Sequence, residues 1–273
     1  MGESSTLWLR VAACLYFVGL VESIATILRR RETFFRLAAG IFSAAVVFHI
    51  VSLVEQGLSM GRFPAADVLD SLSLCGLIVA VTFVVIRWRY KEAAASLSVF
   101  VFPLVFLMTF MAALRNPVSP WSSETVRGAW LIIHVVAELI GYAALLFTAI
   151  GSLLYLVQER QLKRKAVPSI YRFIPPLGTL DDLILKSLSA GFVCVTAGLI
   201  IAIVWAFIEH GTSWIGNSSI TLSFVTWGVY LALVFFRISA GWRGRKAAIL
   251  SLVVLAFCVV TFAAHAGLQD RLL

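Results

Sequence analysis

Eight long apolar segments, joined by short polar connections, constrain this chain more than any other feature of its sequence. A helix that crosses the hydrocarbon core of a bilayer, about 30 Å thick, needs about 20 apolar residues. The segments that meet this length within a few residues cover 7–28, 37–54, 71–86, 93–114, 129–157, 187–208, 220–236 and 247–266. We therefore predict an all-α fold, a polytopic integral membrane bundle of about eight transmembrane helices.

The composition supports a membrane protein with a single domain. Of the 273 residues, 61% are hydrophobic and 13% are charged, whereas about one quarter of the residues in a soluble domain are charged. The apolar segments recur along the whole chain, and no polar block long enough for a soluble domain separates them. We therefore interpret residues 1–273 as one membrane domain of a multi-pass protein of the cell (inner or plasma) membrane.

The basic residues are distributed unevenly between the two sets of connections. The net charge is +8, and 17 of the 22 Lys and Arg residues lie in alternate connections, at 29–36, 87–91, 160–186 and 237–246. Connections rich in Lys and Arg stay in the cytoplasm. We therefore expect these four on the cytoplasmic side and both termini outside. Because this distribution explains the basic charge, we expect the lipid bilayer, and no nucleic acid, as its partner.

Local patterns predict details of the fifth and sixth helices. Residues 158–165 are a basic continuation of the fifth helix, which we expect to extend beyond the headgroups. Thr179 and Asp182 stand at capping-box spacing before an apolar run, so we expect a short amphipathic lead-in to the sixth helix to start there. Ala190-Gly191 and Ala197-Gly198 are small pairs seven residues apart. Small residues let another helix approach closely, so these pairs predict a tight helix contact.

The four histidines lie near one side of the membrane on the predicted topology. His49, His134 and His265 lie near the outer ends of the second, fifth and eighth helices, and His210 begins the outer connection after the sixth. One interpretation is a histidine satisfied by a backbone carbonyl or by interfacial water. The other is a functional site, because polar residues within membrane spans often mark one, and neutral imidazole is a common axial ligand of haem iron.

Glu138 is a second unusual residue for a membrane span. It follows His134 by four residues, so both lie on one helix face, one turn apart. A carboxylate at that depth is costly unless it is protonated or partnered. Glu138 is therefore either a group that orients His134 or takes its proton, or a packing carboxyl that hydrogen-bonds to a neighbouring helix.

Three of the eight tryptophans bracket the predicted outer connection after the sixth helix. Trp205, Trp214 and Trp227 are placed there, whereas the other five lie at helix ends. Tryptophan is common at membrane interfaces, where it anchors helices. The three tryptophans therefore indicate either interfacial anchoring or an aromatic platform for a flat ligand.

Several stretches resemble one family. Residues 211–230 read GTSWIGNSSITLSFVTWGVY, residues 61–72 read GRFPAADVLDSL, residues 175–180 read PPLGTL, and His134 leads into YAALL at 142–146. These stretches resemble the cytochrome c assembly protein family, which includes CcsA (also called ResC), CcmC and the HemX and YpjD-like proteins. The resemblance covers about residues 55–270, and the stretch at 175–180 is similar to the HemX and YpjD-like branch.

The chain departs from the pattern of this family at several positions. In the tryptophan-rich outer loop only Trp214 and the downstream Trp227 match, and the acidic position of the family falls on Asn217. The second external histidine of the family falls near Gln269, with His265 one turn earlier. His134 corresponds to the first external haem-ligand histidine. His265 is therefore a displaced candidate for the second ligand.

The resemblance implies a haem-handling protein of cytochrome c biogenesis that binds or presents haem at the outer face of the membrane. Its cofactor would be haem b, held transiently, in an outward cup of the second, fifth and eighth helices. His134 and His265 would be the axial ligands of the iron, and Trp214 would pack on the porphyrin. The remaining candidate cofactor-binding residues are Trp227, Glu138 and His49.

The same resemblance implies further partners and leaves alternatives open. A second biogenesis subunit of the ResB type and apocytochrome c would be partners, and we expect no catalytic residue in this chain. One alternative is a HemX-like membrane regulator or assembly factor that does not transport haem. Another is a small-molecule or ion permease, in which Glu138 would be the coupling carboxylate.

The distribution of basic residues generates a testable topology. A reporter fused after Lys165 should be found on the cytoplasmic side, because Lys165 lies within a connection rich in Lys and Arg. A reporter fused after Leu273 should be external. Paired alkaline phosphatase and fluorescent protein fusions at both sites measure this directly. A C-terminal reporter in the cytoplasm would contradict the outward placement of the histidines.

Overall fold

The described part of the chain forms eight α-helices. The computed structural model describes residues 2–29, 32–60, 68–114, 129–164, 174–210, 212, 215, 218–243 and 245–269. In chain order the helices are α1 (Gly2–Arg29), α2 (Glu32–Met60), α3 (Val68–Arg89), α4 (Lys91–Ala113), α5 (Ala129–Arg164), α6 (Leu177–His210), α7 (Ser218–Ile238) and α8 (Arg245–Gln269). All eight are long and apolar enough to cross a membrane. The prediction of an all-α, multi-pass membrane protein is confirmed.

Each predicted apolar segment corresponds to one helix, and the differences lie at the helix ends, as at α4, which ends one residue before the predicted segment 93–114. The helix α3 is longer than the predicted span because it continues to Arg89, which can extend its charged end toward the headgroups. The helix α5 continues to Arg164, as the basic sequence after residue 157 predicts. The capping prediction for Thr179 is wrong. The helix α6 already begins at Leu177, so Thr179 lies inside its first turn.

The helices divide into two compact units, the first of which contains α1–α4. In this unit α1 packs along α2 and α4, and α3 packs against α4. Four buried aromatic rings fill its centre. Phe42 stacks on Phe102 with ring centroids 4.0 Å apart, while Tyr16 and Phe83 contact the Phe42 ring at 4.9 and 5.4 Å. These contacts join all four helices of unit 1 through one core.

The second unit contains α5–α8. Within this unit α5 and α6 pack against each other most extensively, and α8 packs against both α5 and α7. Tyr230 of α7 is fully buried in the core of this unit, and its hydroxyl donates a hydrogen bond to the carbonyl of Leu188 at 3.1 Å. The remaining buried members of this core are Leu145, Val195, Leu233, Val254 and Cys258.

Glycines bring α5 and α6 into contact. A Cβ added at Gly141 would lie 2.4 Å from the Val195 side chain and 3.1 Å from the carbonyl oxygen of Gly191. A Cβ added at Gly191 would lie 2.3 Å from the Tyr230 hydroxyl and 3.1 Å from the carbonyl oxygen of Gly141. The two backbones therefore approach where neither helix has a side chain. This is the tight contact that the small pairs predict.

An ion pair joins α6 to the end of α7. The guanidinium of Arg237, only 7% exposed, pairs with the carboxylate of Asp181 and donates a hydrogen bond to the Trp242 carbonyl at 2.9 Å. The Trp242 ring stacks on Phe236 with centroids 4.3 Å apart. Arg243 lies 3.7 Å from the same carboxylate. These residues, which we call the Asp181 clamp, fix the turn between α7 and α8 to the start of α6.

The close contact between α5 and α6 at Gly191 leads to a prediction about stability. Gly191→Ala should lower the melting temperature in detergent by several degrees, because overpacking a filled contact costs about 1–3 kcal/mol. Gly228→Ala on α7 is the matched control, because a Cβ there would meet no atom within 4 Å. Equal melting temperatures for the two variants would show that the glycine contact does not limit stability.

Candidate functional site

His134 is held by a backbone atom of the neighbouring helix. It lies in the second turn of α5 and is partly buried. Its Nδ1 lies 2.9 Å from the carbonyl oxygen of Gly198 on α6. A carbonyl can only accept a hydrogen bond, so Nδ1 carries the proton in this contact. In the neutral ring the lone pair is therefore on Nε2, which is the form of imidazole that ligates a metal.

Glu138 packs against the same glycine. A Cβ added at Gly198 would lie 2.8 Å from Oε1 of Glu138 and 2.9 Å from its Cγ. The hydroxyl of Tyr142, one turn further along α5, donates a hydrogen bond to the carboxyl. Glu138 thus occupies the space that a side chain at residue 198 would need. Its contacts belong to helix packing, and they also enclose the residue whose carbonyl orients His134.

The other proposed axial ligand lies on α8, which packs against α5 in the same unit. Residue 265 follows Cys258 by seven residues, which places the two positions on one face of α8. Cys258 is a buried member of the core of unit 2, to which α5 contributes Leu145. The position of His265 is therefore on the face of α8 that contributes to this core, whereas its side chain lies outside the described part of the chain.

The Trp227 side chain packs between helices. Trp214 lies outside the described residues. The Trp227 ring stacks on Phe192 of α6 with centroids 6.1 Å apart, and its Nε1 donates a hydrogen bond to Oγ1 of Thr196 at 3.0 Å. Thr196 in turn donates to the carbonyl of Phe192. Trp227 therefore joins α7 to α6. A contact between either tryptophan and a cofactor stays a prediction.

His49 belongs to unit 1 and is fully buried, with 0% exposure. Its Nε2 lies 3.0 Å from Oγ of Ser73, and its Nδ1 lies 3.4 Å from the hydroxyl of Tyr16. Both ring nitrogens thus have hydrogen-bonding partners in the core of that unit. A metal-ligand role for His49 would require the loss of one of these contacts, so the structure favours the interpretation of a satisfied core histidine.

The sequence does not mark the Gly198 carbonyl, which is the group that orients His134. Every residue has a carbonyl, so no residue type marks this acceptor. The only signal was the small pair Ala197-Gly198, because a residue without a side chain lets the imidazole and the carboxyl of α5 reach the backbone of α6. The Tyr142 hydroxyl also has a signal, since it follows Glu138 at the spacing of one helical turn.

Together these residues fit one axial side of a haem. The His134 imidazole is partly buried, is anchored through Nδ1 and has its lone pair on Nε2. Ligand histidines commonly donate their other ring N–H to a carbonyl or a carboxylate, which fixes the tautomer and raises the basicity of the ligand nitrogen. The arrangement at His134 is therefore the one expected of an imidazole that ligates a metal through Nε2.

Comparison with known proteins gives the family. The description "Cytochrome C assembly protein" belongs to a family whose sequence profile matches residues 65–266. A protein of Prochlorococcus marinus described as "Cytochrome c biogenesis protein CcsA" is 26% identical over 253 residues, which cover 81% of this chain and 78% of that protein. The Guillardia theta protein of the same description is 25% identical over 273 residues, covering 93% and 87%. The family match spans most of the sequence and includes α5 to α7 and the greater part of α8. This chain therefore belongs to the cytochrome c assembly protein family.

Proposed function

We propose that this protein takes part in cytochrome c biogenesis by binding haem and presenting it at the outer face of the membrane. The observation that carries the proposal is the hydrogen bond from His134 Nδ1 to the Gly198 carbonyl, which prepares Nε2 as a ligand. Membership of the family and the CcsA name of its relatives support the biogenesis role. Haem b, bound transiently, is the proposed cofactor.

In this proposal His134 of α5 and His265 of α8 would be the two ligands of the haem iron. Both positions are in unit 2, and the two helices pack against each other. The bound haem supplies the vinyl groups that become attached to apocytochrome c. The chain itself binds and orients the haem, and the cysteines of apocytochrome c are brought by a second membrane subunit of the ResB type.

Visible spectroscopy of the purified protein tests the two ligands. Wild-type protein loaded with haem should show the low-spin spectrum of bis-histidine ligation, because two imidazoles give a strong axial field. His134→Ala and His265→Ala should each give a high-spin spectrum, because either change leaves the iron with one imidazole. The measurement is the Soret and α/β band positions in detergent, at matched protein concentration.

The matched control is His210→Ala, which replaces the histidine at the last position of α6. Its spectrum should stay low-spin. A low-spin spectrum in His265→Ala would exclude His265 as the second ligand. A wild-type protein that stays colourless with added haem would contradict the proposal and support a HemX-like regulator.

The contact between His134 and the Gly198 carbonyl leads to a second prediction. Gly198→Ala should weaken haem binding by about 10–100-fold, the usual effect of losing a group that orients a metal ligand. Its new Cβ would overlap Glu138 and move the carbonyl away from His134. Glu138→Gln keeps the size of the side chain and removes its charge, and we expect a fall in the same direction. Haem titration followed by the Soret band gives both affinities.

The control for this test is Gly178→Ala, on the same helix at a position where a Cβ meets no atom within 4 Å. Protein yield and melting temperature should be measured alongside, so that a loss of fold is separated from a loss of binding. An unchanged haem affinity in Glu138→Gln would leave that residue with a packing role alone.

A further inference from the structure

Positive charge is concentrated at the turn between α7 and α8. Residues 235–250 contain four basic residues and no acidic one, namely Arg237, Arg243, Arg245 and Lys246. Arg237 is buried against Asp181, whereas the other three side chains are exposed, and we call these three the α7–α8 basic cluster. The next acidic residue of α6, Asp182, forms an ion pair with Lys186. One carboxylate cannot balance four basic groups, so the turn carries a surplus of positive charge.

The contacts of Trp242 hold this turn in one shape. Gly241 has a φ of 64°, in the left-handed region that commonly ends a helix, and the Trp242 N–H donates a hydrogen bond to the Phe236 carbonyl at 2.9 Å. The Trp242 ring stacks on Phe236, and Nζ of Lys246 lies 5.4 Å from its centroid. Arg243, which follows Trp242, lies 3.7 Å from the carboxylate of Asp181. Arg243 and Lys246 are therefore both attached to the Asp181 clamp.

Part of this charge stands at an unfavourable end of a helix. Arg245 and Lys246 are the first two residues of α8. The N-terminus of a helix carries a partial positive charge, which repels basic side chains and attracts anions. A bound anion would therefore offset both the repulsion within the α7–α8 basic cluster and the repulsion from the helix terminus.

The cluster lies at the depth of lipid headgroups. Arg243 stands between two candidate spans, Ile220–Ile238 and Arg245–Ala264, and the second of these begins with the other two members of the cluster. Tryptophan prefers the interface between the hydrocarbon core and water, so Trp242 fits the same depth. The anions that are concentrated at this level are lipid phosphates.

Exposed apolar side chains adjoin the cluster on both helices. Phe235 and Ile238 of α7 are three residues apart, so they share one face of its last turn, and both are about half exposed. Ile249 of α8 is also about half exposed and follows Lys246 by three residues, one turn further into the span. A free anion such as phosphate would use only the basic groups. A phospholipid would use the basic groups and the apolar surface together.

We propose that the α7–α8 basic cluster binds the headgroup phosphate of an anionic phospholipid, whose acyl chains lie along Phe235, Ile238 and Ile249. Basic groups near the membrane surface attract anionic lipids, and a guanidinium can bind a phosphate through two hydrogen bonds. The site lies within unit 2 and uses none of the residues proposed for haem. Its test needs no haem, so its outcome is independent of the haem proposal.

The test is native mass spectrometry of the full-length protein in detergent, titrated with dioleoyl phosphatidylglycerol. A parallel titration uses dioleoyl phosphatidylcholine, which has the same acyl chains and no net charge. We expect a saturable one-to-one complex with phosphatidylglycerol. Half-saturation with phosphatidylcholine should need a concentration about tenfold higher or more, because that headgroup does not neutralise the cluster.

Single charge removals locate the bound lipid. Lys246→Gln should raise the half-saturating phosphatidylglycerol concentration about fivefold, the usual effect of one basic group near an anionic lipid. Arg245→Gln should have a similar effect without touching the contact of Lys246 with Trp242, so it decides if Lys246→Gln does not fold. The matched control is Lys91→Gln, because Lys91 is also an exposed lysine at the start of a helix, in unit 1. It should change the affinity less than about twofold. Melting temperatures of all variants separate a loss of fold from a loss of binding.

Four results would overturn the proposal. The first is equal affinity for the two lipids. The second is phosphatidylglycerol binding that is unchanged in the folded variants of Lys246 and Arg245. The third is an equal loss in Lys91→Gln and Lys246→Gln, which would indicate diffuse attraction to all basic connections. The fourth is displacement of the lipid by glycerophosphoglycerol, the headgroup without acyl chains, at the concentration of the lipid itself, which would indicate a site for a soluble phosphate.

Discussion

The hydrocarbon core of a bilayer offers no water, so the polar groups of this chain must find their partners within the protein. The backbone meets this requirement by forming helices, and many side chains meet it by bonding to a helix. Thr109, Thr148 and Thr196, for example, each donate to the carbonyl four residues earlier on their own helix. Other polar side chains reach a neighbouring helix instead, as His134 and Gln56 do.

The candidate site depends on the close approach of α5 and α6, which lets polar side chains of α5 find partners on α6. Where two helices are separated by large side chains, a histidine on one cannot reach the backbone of the other. Gly198 removes that separation, and the carbonyl it exposes sets the proton on His134. The same glycine makes room for Glu138, so one small residue supports both polar groups of α5. In unit 2 the packing and the proposed ligand chemistry therefore have a common origin.

Much of the fold could be predicted from the sequence, because the length of an apolar run and the thickness of a bilayer are directly comparable. All eight helices were predicted, and the errors lie at helix ends. There, residues such as Arg89 can stay helical while reaching the headgroups, and the first turn of α6 could start before Thr179. The small pairs Ala190-Gly191 and Ala197-Gly198 predicted a tight helix contact, which is the one between α5 and α6, since their effect depends only on size.

The candidate sites were harder to predict. His134 was identified because it is a polar residue within a membrane span and matches a ligand position of the family, whereas the carbonyl that orients it has no signature in the sequence. Asp70 and Gln56 are 14 residues apart on different helices, and their pairing depends on how α2 packs against α3. Trp227 was predicted from a motif, but its ring and its N–H are used for packing on α6. Tertiary contacts, and not residue type, decide these cases.

The Asp181 clamp has a consequence for the synthesis of the protein. Asp181 and Arg237 are 56 residues apart, so at roughly 5–20 residues per second the ribosome reaches the arginine about 3 to 11 s after the aspartate. During that interval α6 can enter the bilayer, but the partner that anchors its first turn does not yet exist. The start of α6 therefore lacks this anchor until almost all of α7 has been synthesised. The clamp can form only after α5 and α6 are complete, so it joins parts of unit 2 that reach the membrane at different times.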